Sequence, residues 1–177
     1  GLVEGDVDAL LAHAHAAEVM FKTGLGDVVA QARGGIDVRW LPGLPPFGRV
    51  ESSRQEAEVL LAWGASPLHT RSVLTDEGAR RRLEAACVPR LEGLEGEPDL
   101  AWLTEQGLAF AREAGLMSPD VETMIGLCSA HGSVSQVMLG NSVFATGDLK
   151  AMGRELEAEG FKWVVTSVDN LGVRTLD

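Results

Sequence analysis

The stretch Thr23-Gly24-Leu25-Gly26-Asp27-Val28-Val29-Ala30-Gln31-Ala32-Arg33-Gly34-Gly35 places one carboxylate between two groups of glycines. Gly24 and Gly26 allow a tight turn with positive φ, a conformation in which a larger side chain clashes. The apolar run after Asp27 fits one short helix, which the Gly34-Gly35 pair would end. A carboxylate held on such a turn keeps a fixed position, as a general base or an anion-repelling gate requires.

Composition and charge restrict the class of protein. The 177 residues, 45% of them hydrophobic, suffice for one domain or slightly more around a buried core. A net charge of −11 argues against a nucleic-acid surface. It leaves nucleotide binding open, because that uses backbone N–H groups and one or two cations. The sequence contains no apolar run long enough to predict a membrane span, and residues 1–6 do not resemble a signal peptide.

The two cysteines indicate a reducing compartment. Cys87 and Cys128 form no CxxC pair and have no zinc-ligand spacing. We therefore expect two buried thiols in a cytoplasmic protein.

The pattern of caps, turns and apolar spacing predicts an α+β fold. The first predicted helix covers residues 7–21 and carries an apolar stripe of Leu10, Leu11, Ala14, Ala17 and Phe21. The later predicted elements are a helix over 28–33, a strand over 36–40, a loop over 41–48, helices over 75–88, 99–114, 118–130 and 148–159, and strands over 134–139, 143–145, 161–168 and 173–176. Pro89 is expected to end the helix that precedes it. Glu18 falls at the edge of the stripe, where a buried carboxylate needs a metal, a cation or hydrogen bonds.

The quoted stretch resembles the GHMP kinase superfamily, in which a glycine-flanked acid followed by a glycine pair lies at the phosphoryl-acceptor site. Further segments narrow the resemblance to the archaeal pantoate kinase branch: Ala17-Glu18-Val19, Arg39, the loop from Pro42 to Gly48, Pro67-Leu68-His69-Thr70-Arg71-Ser72-Val73-Leu74, and Val137-Met138-Leu139-Gly140-Asn141-Ser142-Val143-Phe144-Ala145.

The resemblance implies a fold and a division of the chain. Residues 1–50 would form a partial N-terminal, S5-like region, and residues 51–177 a ferredoxin-like C-terminal domain. Propensity favours a helix over residues 56–63, but the resemblance implies a strand there, which we expect. GHMP kinases carry a glycine-serine phosphate loop before the matched region, and residues 1–22 contain none. We therefore expect the chain to be a fragment or a truncated paralogue that is inactive by itself.

The resemblance also assigns catalytic roles, with ATP and Mg²⁺ as cofactors. Asp27 would accept or orient the proton of the acceptor hydroxyl, and Glu18 would bind the Mg²⁺ that bridges the ATP phosphates. Gly24 and Gly26 would form part of the cofactor-binding turn. The alternatives are a turn-capping aspartate at position 27 and a surface Glu18 paired with Lys22.

Substrate binding is assigned in the same way. Arg39 would grip a substrate carboxylate, for which the guanidinium geometry is suited. Thr70 would hydrogen-bond the substrate, and Gly140 and Asn141 would belong to the third family motif, which closes over the acceptor site. The alternatives are a surface Arg39 paired with a neighbour such as Asp37, a turn residue at position 70, and a plain hairpin turn at 140–142.

The activity implied is phosphorylation of the terminal hydroxyl of (R)-pantoate to 4-phosphopantoate, a step of coenzyme A biosynthesis. The partner would be a small hydroxy acid, with no nucleic acid and no membrane, and the protein would be a homodimer. Arg39 fits any acid, so a homoserine, shikimate or mevalonate type of kinase is an alternative. A non-catalytic binding or regulatory module derived from GHMP kinases is another.

Overall fold

The computed structural model describes residues 7–21, 26–44, 46–65, 73 and 75–174. The chain divides into two compact units, the first made of Gly1–Gln55 with Asp169–Asp177 and the second of Glu56–Val168. The domain boundary predicted after residue 50 would cut a strand that belongs to the first unit, Arg49–Ser53. The structure also groups the segment from Asp169 with the first unit and not with the second.

The mixed α/β architecture expected from the sequence is confirmed. The helices are α1 (Val7–Phe21), α2 (Asp27–Arg33), α3 (Glu77–Glu92), α4 (Leu100–Ala114), α5 (Pro119–Ser129) and α6 (Leu149–Ala158). The strands are β1 (Ile36–Leu41), β2 (Arg49–Ser53), β3 (Glu58–Trp63), β4 (Gly132–Gln136), β5 (Ser142–Gly147) and β6 (Lys162–Ser167). In the described part of the chain, no helix combines the length and the apolar character needed to cross a bilayer.

In the first unit, β1 and β2 form an antiparallel pair, with a register shift between Arg39 and Leu41. The strand predicted over 36–40 is confirmed as β1, in which Ile36 and Val38 are buried. Helix α1 packs against α2, but the predicted apolar stripe of α1 is wrong. Leu10 and Phe21 are 61% and 65% exposed, and Ala14 and Ala17 are exposed as well. The partly buried positions are Leu11, His15 and Glu18. Alanine and other small apolar residues occur around most of this helix, so their spacing does not select one face.

Backbone hydrogen bonds hold the segment that begins at Asp169 against the end of α2. The Gly35 N–H donates to the Asp169 carbonyl at 2.7 Å, and the Val173 N–H donates to the Gln31 carbonyl at 2.7 Å. The second bond satisfies the Gln31 carbonyl, one of the last carbonyls of α2 that have no intrahelical partner. The segment is therefore part of the first unit.

The side chain of Asn170 adds a second attachment. Its Nδ2 donates to the Gln55 carbonyl and its Oδ1 accepts from the Gln55 N–H, both at 3.1 Å. The predicted strand over 173–176 is not formed in its described residues, Val173 and Arg174. The Val173 N–H is bonded to a helix end instead of a neighbouring strand.

The second unit is built on a four-stranded antiparallel sheet in the order β4-β5-β3-β6. The strand predicted over 56–63 is confirmed as β3. Helices α5 and α6 cover one face around a core of Leu60, Ala62, Val121, Met124, Ile125, Cys128, Val134, Val143, Ala145, Met152 and Leu156. Ser135 follows the core residue Val134 on β4 and therefore points to the opposite face of the sheet. There its side chain lies against Gly107 of α4.

Side-chain caps begin two helices of this unit as predicted. Asp99 accepts a hydrogen bond from the Trp102 N–H at 2.7 Å, and Ser118 accepts one from the Val121 N–H at 3.2 Å. Gly115 ends α4 in the left-handed conformation, with φ +66°. Short polar side chains and glycine are favoured at these positions because they satisfy or tolerate the helix end.

The predicted end of α3 at Pro89 is wrong, because the helix continues to Glu92. Proline removes one N–H donor and crowds the preceding turn, but it does so here only in the last turn. Arg90 holds that turn in place through a hydrogen bond to the Ala86 carbonyl. Its guanidinium also forms a two-pronged ion pair with Glu113 of α4, at 2.7 and 3.0 Å.

Alanine substitutions at two helical glycines are expected to have opposite effects on stability. A Cβ on Gly153 of α6 would lie 2.6–2.8 Å from three ring atoms of Trp163, whereas a Cβ on Gly126 of α5 would meet nothing within 4 Å. Gly153→Ala should cost about 1–3 kcal/mol of unfolding free energy through overpacking. Gly126→Ala should add roughly 0.5–1 kcal/mol, because alanine is the better helix former. Urea unfolding midpoints measure both, and a stabilised Gly153→Ala variant would contradict the close packing.

The two thiols are expected to differ in reactivity. Burial raises the pKa of Cys128 to about 11, and it raises the pKa of the half-buried Cys87 as well. Only Cys128 is fully buried, so the prediction of two buried thiols is wrong for Cys87. The thiolate is the reactive form, so at a pH of about 8 roughly one Cys128 thiol in a thousand is ionised. A disulfide reagent should label Cys87 slowly and leave Cys128 unmodified until guanidinium chloride unfolds the protein; equal native rates would contradict this.

Candidate active site

Asp27 is the first residue of α2 and its side chain is exposed. The short helix predicted after it is confirmed, and it ends at Gly34, whose φ is +69°. A carboxylate in the first turn of a helix is favoured by the helix dipole. Asp27 therefore presents an accessible carboxylate from a fixed backbone position, as proton acceptance from a bound hydroxyl requires.

Gly26 has a different reason to be glycine than the one predicted. Its φ is −141°, so the expected positive φ is wrong for this residue. A Cβ at this position would lie 2.9 Å from Nη1 of Arg39. The missing side chain leaves room for the guanidinium.

Arg39 contacts both the residue before Asp27 and the loop that follows β1. It is half-buried on β1, and besides its contact with Gly26 its Nη2 donates to the Gly43 carbonyl at 3.4 Å. The structure thus brings the predicted carboxylate clamp against the residue that precedes Asp27. A guanidinium can bind a carboxylate, and Asp27 follows directly after the residue that Arg39 approaches.

Glu18 lies on the partly buried side of α1 with His15. Among the described residues, its Oε2 is enclosed and has no hydrogen-bond partner, and the same is true of His15 Nδ1. An enclosed carboxylate oxygen without a partner is costly and fits a cation. The described residues contain no group of three or more His, Cys, Asp or Glu side chains suited to a metal. The binding of Mg²⁺ by Glu18 stays a prediction.

Asn141 lies in the second unit, in the turn between β4 and β5, and it is 9% exposed. Its Oδ1 accepts from the Ser118 hydroxyl, and its Nδ2 donates to Asp120 Oδ2 at 3.0 Å. The neighbouring Gly140 N–H donates to the Val137 carbonyl at 2.8 Å, which closes the turn. The predicted contact of Gly140 and Asn141 with substrate stays a prediction.

Two sequence-predicted site residues, Gly24 and Thr70, lie outside the described residues, as does Lys22, the alternative partner of Glu18. Sequence reasoning missed the link between Asn141 and the start of α5. The sequence predicted only that a helix begins at residue 118. No local pattern connects this helix start with a residue more than twenty positions later, and only the fold brings them together.

The comparisons with known proteins agree with the resemblance. No family model matches the chain. It is 32% identical over 158 residues to the pantoate kinase of Thermococcus kodakarensis, covering 88% of this chain and 50% of that protein. It is also 32% identical over 138 residues to the pantoate kinase of Methanospirillum hungatei, covering 76% of this chain and 44% of that one.

Two solved structures of phosphotransferases superpose on the chain. A protein described as a phosphotransferase related to the CoA biosynthesis pathway superposes with a TM-score of 0.79 at 26% identity, over 94% of this chain and 56% of that one. A homoserine kinase from Cytophaga hutchinsonii superposes with a TM-score of 0.55 at 16% identity, over 94% and 59%, and shows the fold alone.

These findings confirm the resemblance to the GHMP kinases, and the curated relatives found are kinases. Within that class the chain is similar to two pantoate kinases. The chain spans about half the length of the curated relatives it matches.

Gly26→Ala is expected to weaken substrate binding with little loss of stability. The added Cβ would meet the flexible end of the Arg39 side chain at 2.9 Å and displace the guanidinium from the Asp27 turn. In a kinase assay, the KM for the hydroxy acid should rise by about tenfold, roughly the worth of one charge-assisted hydrogen bond. The unfolding midpoint should change little. An unchanged KM would show that Arg39 does not act from this position.

Proposed function

We propose that this chain is part of an ATP-dependent kinase that phosphorylates the terminal hydroxyl of (R)-pantoate to give 4-phosphopantoate. The observation that carries the proposal is the contact between the Arg39 guanidinium and Gly26, the residue before Asp27. Pantoate has a carboxylate at one end and a hydroxyl at the other, which matches a cation next to a general base. The similarity to two pantoate kinases supports this substrate over other hydroxy acids.

Each residue has a defined part in the proposed reaction. Arg39 binds the pantoate carboxylate and orients the molecule. Asp27 accepts the proton of the terminal hydroxyl of pantoate. The hydroxyl oxygen then bonds to the γ-phosphorus as the bond between that phosphorus and the ADP oxygen breaks. Bound ATP and Mg²⁺ supply the phosphoryl group and neutralise its charge. Glu18 would hold the metal through its unpartnered oxygen.

The topology supports the finer fold assignment. In the second unit, the first and third strands of a β-α-β-β-α-β order lie at the centre of the sheet, and every pair is antiparallel. This order is typical of ferredoxin-like domains; the described part of the first crossover contains α3, α4 and α5. We propose this fold for residues 56–168 and an S5-like region in the first unit. The homodimer and the cytoplasmic location are further parts of the proposal.

A coupled assay of ADP release tests the proposed function. The polypeptide from the complete reading frame would be supplied with ATP, Mg²⁺ and, in parallel, pantoate, homoserine, shikimate and mevalonate. We expect the highest kcat/KM with pantoate. Preference for another acid would identify a different GHMP kinase. No turnover with any acid, combined with measurable binding of pantoate by calorimetry, would instead indicate a binding or regulatory module.

A further inference from the structure

A cluster of three polar side chains, Ser118, Asp120 and Asn141, joins the start of α5 to the turn after β4. We call it the Asn141 cluster. The Asn141 carboxamide accepts from the Ser118 hydroxyl through Oδ1 and donates to Asp120 Oδ2 at 3.0 Å through Nδ2. Ser118 also accepts from the Val121 N–H as the cap of α5. Both ends of the nearly buried carboxamide are therefore bound, and Asn141 has one orientation.

The same cluster holds the end of β3. The Gly64 N–H, directly after the strand, donates to the Asn141 carbonyl at 2.9 Å. A Cβ on Gly64 would lie 2.2 Å from Asp120 Oδ2 and 2.5 Å from Asn141 Nδ2. The carboxylate and the carboxamide thus lie directly on the backbone of Gly64. Only glycine leaves this space, so the position of Asp120 determines where the chain leaves β3.

We infer that Asp120 is a positioning residue for the proposed kinase reaction, an inference that rests on the proposed function. Asp120 acts through Asn141 and holds the turn over 137–141 against the end of β3 at Gly64. The sequence assigns substrate contacts to this turn, at Gly140 and Asn141. An ionised acceptor suits this role, because its hydrogen bond is stronger than that of a neutral group and the start of α5 favours negative charge.

An exchange of the two side chains tests the inference. Asn141→Asp alone places two carboxylates within hydrogen-bond distance, so we expect kcat/KM for the hydroxy acid to fall about 10- to 100-fold at a pH near 8. Close carboxylates raise each other's affinity for a proton. The defect should therefore shrink as the pH is lowered and one carboxyl becomes a donor. The double variant Asp120→Asn/Asn141→Asp should recover most of the activity, because the amide at position 120 can donate to the carboxylate at position 141.

Asp120→Ala and a matched control complete the design. Asp120→Ala should raise the KM for the hydroxy acid about tenfold and leave the KM for ATP nearly unchanged. Glu122→Gln removes an exposed acid from the same helical turn and should behave as wild type. A merely structural role would lower the amount of folded, active enzyme without altering either KM. If Asp120→Ala does not fold, the exchange pair still decides the question.

The outcomes separate the two proposals. Wild-type turnover, combined with an unchanged hydroxy-acid KM in Asp120→Ala or with no recovery in the exchanged pair, overturns the inference alone. Absence of turnover in the wild-type protein with every acid overturns the proposed function and the inference with it. Recovery in the exchanged pair and relief of the Asn141→Asp defect at low pH support both.

Discussion

Asp27→Asn is expected to lower kcat by about 10²- to 10⁴-fold, the range attributed to a positioned acid or base. Asparagine has nearly the same shape but cannot accept the proton of the acceptor hydroxyl. Stability should change little, because Asp27 is exposed and its carboxylate is not the cap of α2. Steady-state kinetics with pantoate measures the effect, and thermal unfolding verifies the fold.

A matched acid separates catalysis from charge. Glu77→Gln removes an exposed carboxylate from the first turn of α3, and its kcat should equal that of the wild type. A fall of less than about tenfold in Asp27→Asn, with an unchanged fold, would leave the proposed reaction without its base.

Gly34→Ala is expected to produce the largest loss of stability, about 3–5 kcal/mol. Gly34 has φ +69°, and an added Cβ would lie 2.4 Å from the Asp169 carbonyl oxygen and 2.6 Å from the Gly172 nitrogen. These are backbone atoms that cannot rotate away, so the segment from Asp169 would have to leave the end of α2. Denaturant unfolding of the purified variant measures the change.

Gly115→Ala is the control for the strained φ alone. Gly115 also ends a helix, with φ +66°, and a Cβ there would meet nothing within 4 Å. Its substitution should cost only about 1 kcal/mol, the price of the left-handed conformation for an ordinary residue. Equal losses in the two variants would show that the close approach at Gly34 contributes nothing.

Local signals in the sequence predicted much of the second unit. Asp99, Ser118 and Gly115 occupy caps whose preferences arise from a few neighbouring atoms, so the helix bounds could be inferred without the fold. The strand at β3 could not be inferred in this way, because propensity favoured a helix and tertiary packing decided otherwise. Only the family resemblance predicted it.

The errors occur where distant residues determine the outcome. Pro89 lies in the last turn of α3, where the next residue, Arg90, is paired with Glu113 of another helix. Gly26 is glycine because Arg39 needs the space, and not for its own φ. In the candidate site, Asp27 and Arg39 could be named from the sequence, but the approach of Arg39 to Gly26 could not. It depends on the placement of β1 beside the turn before α2.

The return of the segment from Asp169 to α2 has a consequence for synthesis. Residues 56–168 leave the ribosome before this segment does, yet they close on themselves through the Val168 N–H, which bonds the Ala57 carbonyl at 3.0 Å. The second unit is thus an insertion whose ends meet, and it can fold while the first waits for its last hydrogen bonds. A nascent chain halted before Asp169 would contain a folded second unit inserted in a first unit that still lacks its last segment. The first unit is therefore the later of the two to become resistant to proteases.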